Sequence, residues 1–269
     1  MEILQYRDLL ESISVVYGYD FTEYAEASMR RRIDHFIQSR KFRDVDTLKD
    51  TILQDEHIFE EFIQELSVTV TEMFRDPLFY RSLREQVMKR LATYPFIKVW
   101  IAGCATGEEV YSVAIVLREA GLLQRALIYA TDINQQSLAK ARDGLYAAQD
   151  MKRYTASYQA SGGSGSFSEY YKAKYDSVIF DKSLRQNIVF APHNLVMDKT
   201  FNEFQLILCR NVMIYFNQKL QNKVINLFYE SLCTFGFLCL GNKESLLFSE
   251  KQKRFEVVDR KEKIYIKTH

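Results

Sequence analysis

Residues 99–112, "VWIAGCATGEEVYS", concentrate the types that could do chemistry. An apolar run stops at Gly103, Gly107 follows four residues later, and Glu108 and Glu109 come directly after it. Glycines between a strand and a helix let the backbone approach a ligand and aim a helix N-terminus at it. The G-C-A-T-G spacing is not the G-x-G-x-x-G of dinucleotide sites, and a tight turn that binds nothing explains it equally well. The two carboxylates narrow the choice. A helix start favours them, but a pyrophosphate would meet them unfavourably, which argues against NAD, FAD and ATP. A second apolar run, "ALIYATD", ends at Asp132. A carboxylate there accepts hydrogen bonds from ribose hydroxyls; alternatively it caps the helix that follows. A ribose, no phosphate and a cationic group describe S-adenosylmethionine.

These residues need strands and helices to hold them. "IKVWIA" and "ALIYATD" read as buried strands, each followed by a helix, "EVYSVAIVLREAG" and "NQQSLAKARDGL". Val110, Val113, Ala114 and Leu117 form the buried face of the first helix, and Gly121 ends it. "NIVFAPHN" and "FQLILCRN" are strand-like, "QKLQNKVINLFYESLCTFG" reads as a helix ending near Gly236, and "FLCLG", "RFEVVD" and "KIYIKT" as further strands. This alternation predicts an α/β domain with a mostly parallel sheet covered by helices.

The front of the chain differs. Tyr6, Leu9, Leu10 and Ile13, and again Phe59, Phe62, Ile63 and Leu66, have i, i+3, i+4, i+7 spacing, so this part is helical. Between them, "SMRRRIDHFIQSRKFR" carries Ile33, Phe36 and Ile37 on one face with arginines around it. The acidic "QDEHIFEEFIQE" follows. Asp76-Pro77 predicts a capped helix start, with the helix running to about Tyr94. "QASGGSGS" reads as a flexible loop opening an inserted hairpin or flap, about residues 160–187.

The strings "VTVTEMFRDPLFY", "VWIAGCATGEEVYSVAI", "YATDI", "KARDGLY" and "LILCRNVMIYF" occur in the order seen in the CheR family of chemotaxis receptor methyltransferases. The sequence resembles that family over nearly its whole length. The resemblance implies a small all-helical domain, residues 1–72, before a class I Rossmann-like methyltransferase domain, residues 73–269. It implies S-adenosylmethionine as methyl donor, S-adenosylhomocysteine as product and no metal, with receptor glutamates as acceptors.

By the same resemblance, Thr69 and Thr71 occupy the positions of a family Asn and Thr before Arg75. Thr69 departs from the family's Asn, yet a hydroxyl can still bond. Ala102 and Gly103 border the donor's methionine portion, Glu109 contacts the donor and Asp132 binds its ribose. Asn194 and Leu195 border the adenine. Arg210 and Asn211 follow the fourth strand, and Tyr215 stands close to the transferred methyl. Arg75 and Tyr215 are the expected catalytic residues. Met73 replaces a family aromatic and Val110 a frequent proline.

The bulk properties fit a globular protein. Of 269 residues, 47% are hydrophobic and 26% charged, so a full core forms without metal or disulfide help. The net charge of +1 points to neither nucleic acid nor membrane, and no apolar run has membrane-spanning length. Cys104, Cys209, Cys233 and Cys239 form no C-x-x-C pair, and "MEILQYRDLL" lacks the apolar core of a secretory leader, so the expected compartment is the cytoplasm. His35, His57, His193 and His269 show no metal spacing. A monomer is expected. Arg30, Arg31 and Arg32 are the candidate acceptor-binding residues, docking an acidic partner; a solvated helix face explains them equally well.

Three functional readings stay open. The leading one is a protein-glutamate O-methyltransferase acting on a receptor's cytoplasmic domain or another signalling protein. The others are a methyltransferase for a different protein or a small molecule, and a non-catalytic module that senses S-adenosylmethionine.

Overall fold

The structure, a computed structural model, describes residues 2–67 and 70–268. Four helices open the chain: α1 (Glu2–Tyr17), α2 (Glu26–Arg40), α3 (Val45–Gln54) and α4 (Glu56–Leu66). Leu9, Ile13, Ile33, Phe36, Leu48, Ile52, Phe59 and Phe62 from all four meet in one core. The basic α2 and acidic α4 lie against each other, with Arg40 Nη2 2.9 Å from Glu61 Oε2 and His35 Nδ1 2.8 Å from Glu65 Oε1. Part of the arginine-rich surface is therefore answered inside the domain.

The helix expected from residue 77 begins as α5 (Pro77–Ser82), passes through a π turn at Leu83–Val87 and ends as α6 (Met88–Leu91). It is not capped as expected. Asp76 has φ 58 and makes no side-chain cap bond, because its carboxylate is taken by Arg210.

The rest of the chain then alternates: β1 (Ile97–Ala102), α7 (Glu108–Glu119), β2 (Ala126–Asp132), α8 (Gln135–Asp143), β3 (Leu145–Ala147), α9 (Met151–Ala160), β4 (Tyr171–Lys174), β5 (Ser177–Phe180), α10 (Lys182–Arg185), β6 (Ile188–Pro192), β7 (Phe204–Cys209), α11 (Gln218–Ser231), β8 (Leu232–Leu240), β9 (Phe255–Asp259) and β10 (Ile264–Lys267). The main sheet has the order β6-β2-β1-β7-β8-β10-β9. Its first five strands are mutually parallel, and β10 runs antiparallel to both of its neighbours, β8 and β9. β1 is covered on both sides: Val99 and Ile101 enter one core, Trp100 and Ala102 the other. That two-sided burial is why it reads as an unbroken apolar run.

The expected α11 end near Gly236 is five residues late. The strand starts at Leu232, and Gly236 lies inside β8. Hairpin β4–β5 sits in the expected insert, but a third strand, β3, pairs with β5 from outside that range. The glycine loop before the hairpin is packed rather than loose. A Cβ at Gly163 would come within 2.2 Å of the Tyr158 ring, and Gly165 N donates to Tyr158 Oη at 3.1 Å.

Candidate functional site

The chain runs from β1 through β2 to β6 on one side of the sheet, then returns to β7 on the other side of β1. Loops leaving β1 and β7 diverge at this reversal, which opens a crevice beyond the carboxyl ends of the strands. The two loops also touch. Gly103 has φ 74, and a Cβ there would sit 2.4 Å from Val212 Cγ2, so only glycine fits.

Asp132 organises the β1 loop. Its Oδ2 accepts from Ala105 N at 2.8 Å and its Oδ1 from Asn134 N at 2.9 Å. It does not cap α8. That role falls to Asn134, whose Oδ1 accepts from Ser137 N at 3.0 Å. Burial pushes the Asp132 carboxyl above its usual range, and the amides of Asn134, Ala105 and Ile133 pull the other way. Each oxygen keeps acceptor capacity for a ribose hydroxyl. The small sheet supports the loop from behind, since Tyr146 Oη donates to Thr106 O at 2.8 Å.

The two glutamates at the start of α7 diverge. Glu108 is buried and accepts from Thr106 Oγ1 at 2.7 Å, and burial raises its carboxyl. Glu109 lines the crevice and accepts from Arg210 Nη1 at 2.8 Å. Arg210 also donates to Asp76 Oδ2 at 2.8 Å and stacks 4.0 Å from the centroid of Phe79. Its side chain is 2% exposed. Burial opposes its charge, but Glu109 and Asp76 outweigh burial and leave it firmly protonated. Arg210 therefore ties the linker, α7 and β7 together at the crevice floor.

Two other arginines are less committed. Arg75 Nη1 reaches Val70 O across 3.4 Å and has no carboxylate partner among the described residues. Its neighbours are taken: Asp76 by Arg210, and Glu72 by Arg153 at 3.2 Å. Arg32, from the helical domain, donates to Glu65 O at 3.1 Å and lies 5.7 Å over the Tyr215 ring. Arg32, Arg75 and Tyr215 line the same crevice as Asp132.

Thr71, Arg75, Gly103, Glu109, Asp132, Asn194, Leu195, Arg210, Asn211 and Tyr215 all line one crevice, drawn from both domains and the linker. Thr69 lies outside the described residues. Ala102 is not a lining residue: it is 1% exposed and packs under the sheet, and the chain reaches the crevice one residue later. The arginine triplet divides. Arg32 lines the crevice, whereas Arg30 and Arg31 are exposed outside it. The helical period sends Arg32 inward and its neighbours outward.

Sequence reasoning missed further contributions of the helical domain, among them Phe21, Tyr24 and Ser28. Tyr24 pairs as an antiparallel bridge with Phe216, and their rings meet edge to face at 4.9 Å. Ala25 N donates to Tyr215 O at 2.8 Å, and Asn217 N donates to Glu23 O at 3.0 Å. No local pattern announces such a bridge. Among the described residues, no cluster of His, Cys, Asp and Glu could hold a metal, and no helix is long and apolar enough to cross a membrane. Cys104 lines the crevice, but burial holds its thiol well above the usual range.

The doubly wound sheet, with a glycine loop after β1 and a carboxylate at the end of β2, is the fold of an S-adenosylmethionine-dependent methyltransferase. The chain belongs to the CheR methyltransferase family: the family's all-alpha domain matches residues 4–67 and its SAM-binding domain residues 69–264. A Pseudomonas putida protein named as methyltransferase Cher3 is 48% identical over 265 residues, covering 98% of this chain and 97% of that one. A chemotaxis protein methyltransferase of Listeria monocytogenes is 30% identical over 232 residues, covering 86% of each chain. One from Escherichia coli is 31% identical over 204 residues, covering 73% of this chain and 67% of that one.

Proposed function

We propose that this chain is a protein-glutamate O-methyltransferase whose acceptor is the cytoplasmic domain of a receptor or another signalling protein. The observation that carries this reading is the pair Arg32 and Arg75. Both line the donor crevice beside Tyr215, and neither has a carboxylate partner among the described residues. Two guanidinium groups without an acid suit an incoming carboxylate.

A glutamate with a pKa near its ordinary value of about 4.3 is already ionised at neutral pH, so no general base is required. The sulfonium supplies an electrophilic methyl and departs as the neutral thioether of S-adenosylhomocysteine. The residues of this chain align and dry the reaction. Asp132 holds the ribose; Asn194 and Leu195 border the adenine; Gly103 and Glu109 face the methionine portion. Thr71 and Asn211 complete the wall. Arg75 holds the acceptor carboxylate and keeps it ionised as water leaves. Tyr215 aligns the acceptor oxygen with the methyl, within about 3–3.5 Å. Residues 1–72 select the acceptor and residues 73–269 carry out transfer. The chain works as a cytoplasmic monomer, and Arg30 and Arg31 steer an acidic acceptor helix from outside the crevice.

The test is incubation with radiolabelled donor and lysate from the same organism, followed by identification of the labelled protein. Base-labile label on glutamates of a receptor-type protein is the expected result. Base-stable label, or label on a small molecule, removes the glutamate reading and leaves the methyltransferase.

A further inference from the structure

β7 ends at Cys209, so the amides that follow have no sheet partner. They turn instead onto one carboxylate. Glu244 Oε2 accepts from Asn211 N at 3.0 Å and Gly241 N at 2.6 Å. Its Oε1 accepts from Val212 N at 2.9 Å and Met213 N at 2.7 Å. Four main-chain donors thus converge on a side chain that is 5% exposed. Three of them are consecutive, and successive amides in this conformation make a concavity for an anion. Asn211 takes φ 62 to complete it. The fit is close: a Cβ at Gly241 would come 2.7 Å from Glu244 Oε2 and 2.8 Å from Asn211 N.

The segment held this way carries one wall of the crevice. Arg210 precedes it, Val212 abuts Gly103, and Tyr215 and Phe216 follow in the turn that meets the helical domain. Glu244 itself is not a lining residue. We infer that Glu244 is a positioning residue for the methyl donor: its carboxylate fixes the Asn211–Met213 turn and so sets Arg210, Val212 and Tyr215 against the ligand. The inference rests on the crevice being the donor site. A glutamine there keeps the shape but offers one oxygen in place of two, and its amide N–H groups face two main-chain N–H donors.

The test compares Glu244→Gln with Lys267→Met. Lys267 Nζ donates to Tyr229 O at 2.8 Å and Leu232 O at 2.6 Å, at the end of α11 and outside the crevice. Both variants lose buried polar contacts, and both are expected to melt earlier. S-adenosylhomocysteine affinity is measured by calorimetry well below each melting temperature. Glu244→Gln is expected to bind at least tenfold more weakly, and Lys267→Met within twofold of the parent. Glu244→Asp, which keeps the charge one methylene short, is expected to fall between Glu244→Gln and the parent, and carries the comparison if the glutamine variant does not fold. Parent-like affinity in Glu244→Gln, or equal weakening in Lys267→Met, overturns the role of Glu244. A parent protein that gives no binding heat overturns the donor site, and this inference with it.

Discussion

Replacing Arg210 by methionine tests the charge arrangement beneath the crevice. The side chain is 2% exposed and compensates Glu109, itself 14% exposed, and Asp76, 31% exposed. Methionine fills much of the same space over Phe79 but leaves both carboxylates without their cation. Breaking a buried pair by removing one partner costs about 3–5 kcal/mol, because a buried charge is left uncompensated. For a chain of this size, about 2–4 °C of melting temperature is lost per kcal/mol, so the variant is expected to melt about 6–20 °C earlier. Urea unfolding reads the free energy directly, provided the slope is unchanged. Adding Glu109→Gln and Asp76→Asn removes the stranded charges and is expected to restore at least half of the loss, a non-additive result. A loss below about 1 kcal/mol in Arg210→Met, or no recovery in the triple variant, refutes the idea that opposite charge holds this floor together.

Asp132→Ala is expected to weaken S-adenosylmethionine binding in calorimetry by about 1.5–3 kcal/mol, the worth of hydrogen bonds to a charged group; unchanged affinity removes Asp132 from the ribose role. Arg75→Ala is expected to slow single-turnover methylation strongly at saturating donor, Arg75→Lys to recover part of the rate, and Tyr215→Phe to have the smaller effect, since lysine keeps charge but loses the planar fork. Parent-rate transfer by Arg75→Ala would return that arginine to the surface. Arg30→Glu with Arg31→Glu is expected to slow acceptor association in a salt-dependent way while donor affinity stays constant; full methylation at low salt makes these two a solvated face. Asp44 caps α3 by accepting from Thr47 N at 2.8 Å, and Thr47's hydroxyl and amide together with Arg43 hold its carboxyl down at about 2. Its folded value is depressed, so its contribution is present above the unfolded value of about 3.9 and is lost as pH falls toward 2. Acid titration followed by circular dichroism should show a smaller loss of stability over that window in Asp44→Ala than in the parent.

Local sequence determined whatever depends on local physics. Unbroken apolar runs located β1 and β2, and period-3.6 burial located α7 and the helical front, because an element that buries one or both faces must write that burial into its residues. The same runs placed Gly103 just after β1 and Asp132 at the end of β2, while a tight turn and a helix cap stood beside a ligand role at these two positions. Element ends were less legible. Leu232 to Phe235 continue the helical pattern of α11, yet they lie in β8, where Leu232 pairs with Phe204 of β7 and Phe237 to Cys239 pair with β7 and β10, since sheet pairing is decided by partners distant in the chain. The roles of polar side chains needed the tertiary structure most. Asp76 looks like a helix cap until Arg210, 134 residues later, takes its carboxylate. Arg32 is one arginine of three until the helical domain docks and turns it toward Tyr215. Glu244 is an unremarked glutamate after a strand until four amides from two segments converge on it. A carboxylate's partner is fixed by distance in space, and the sequence records distance only along the chain.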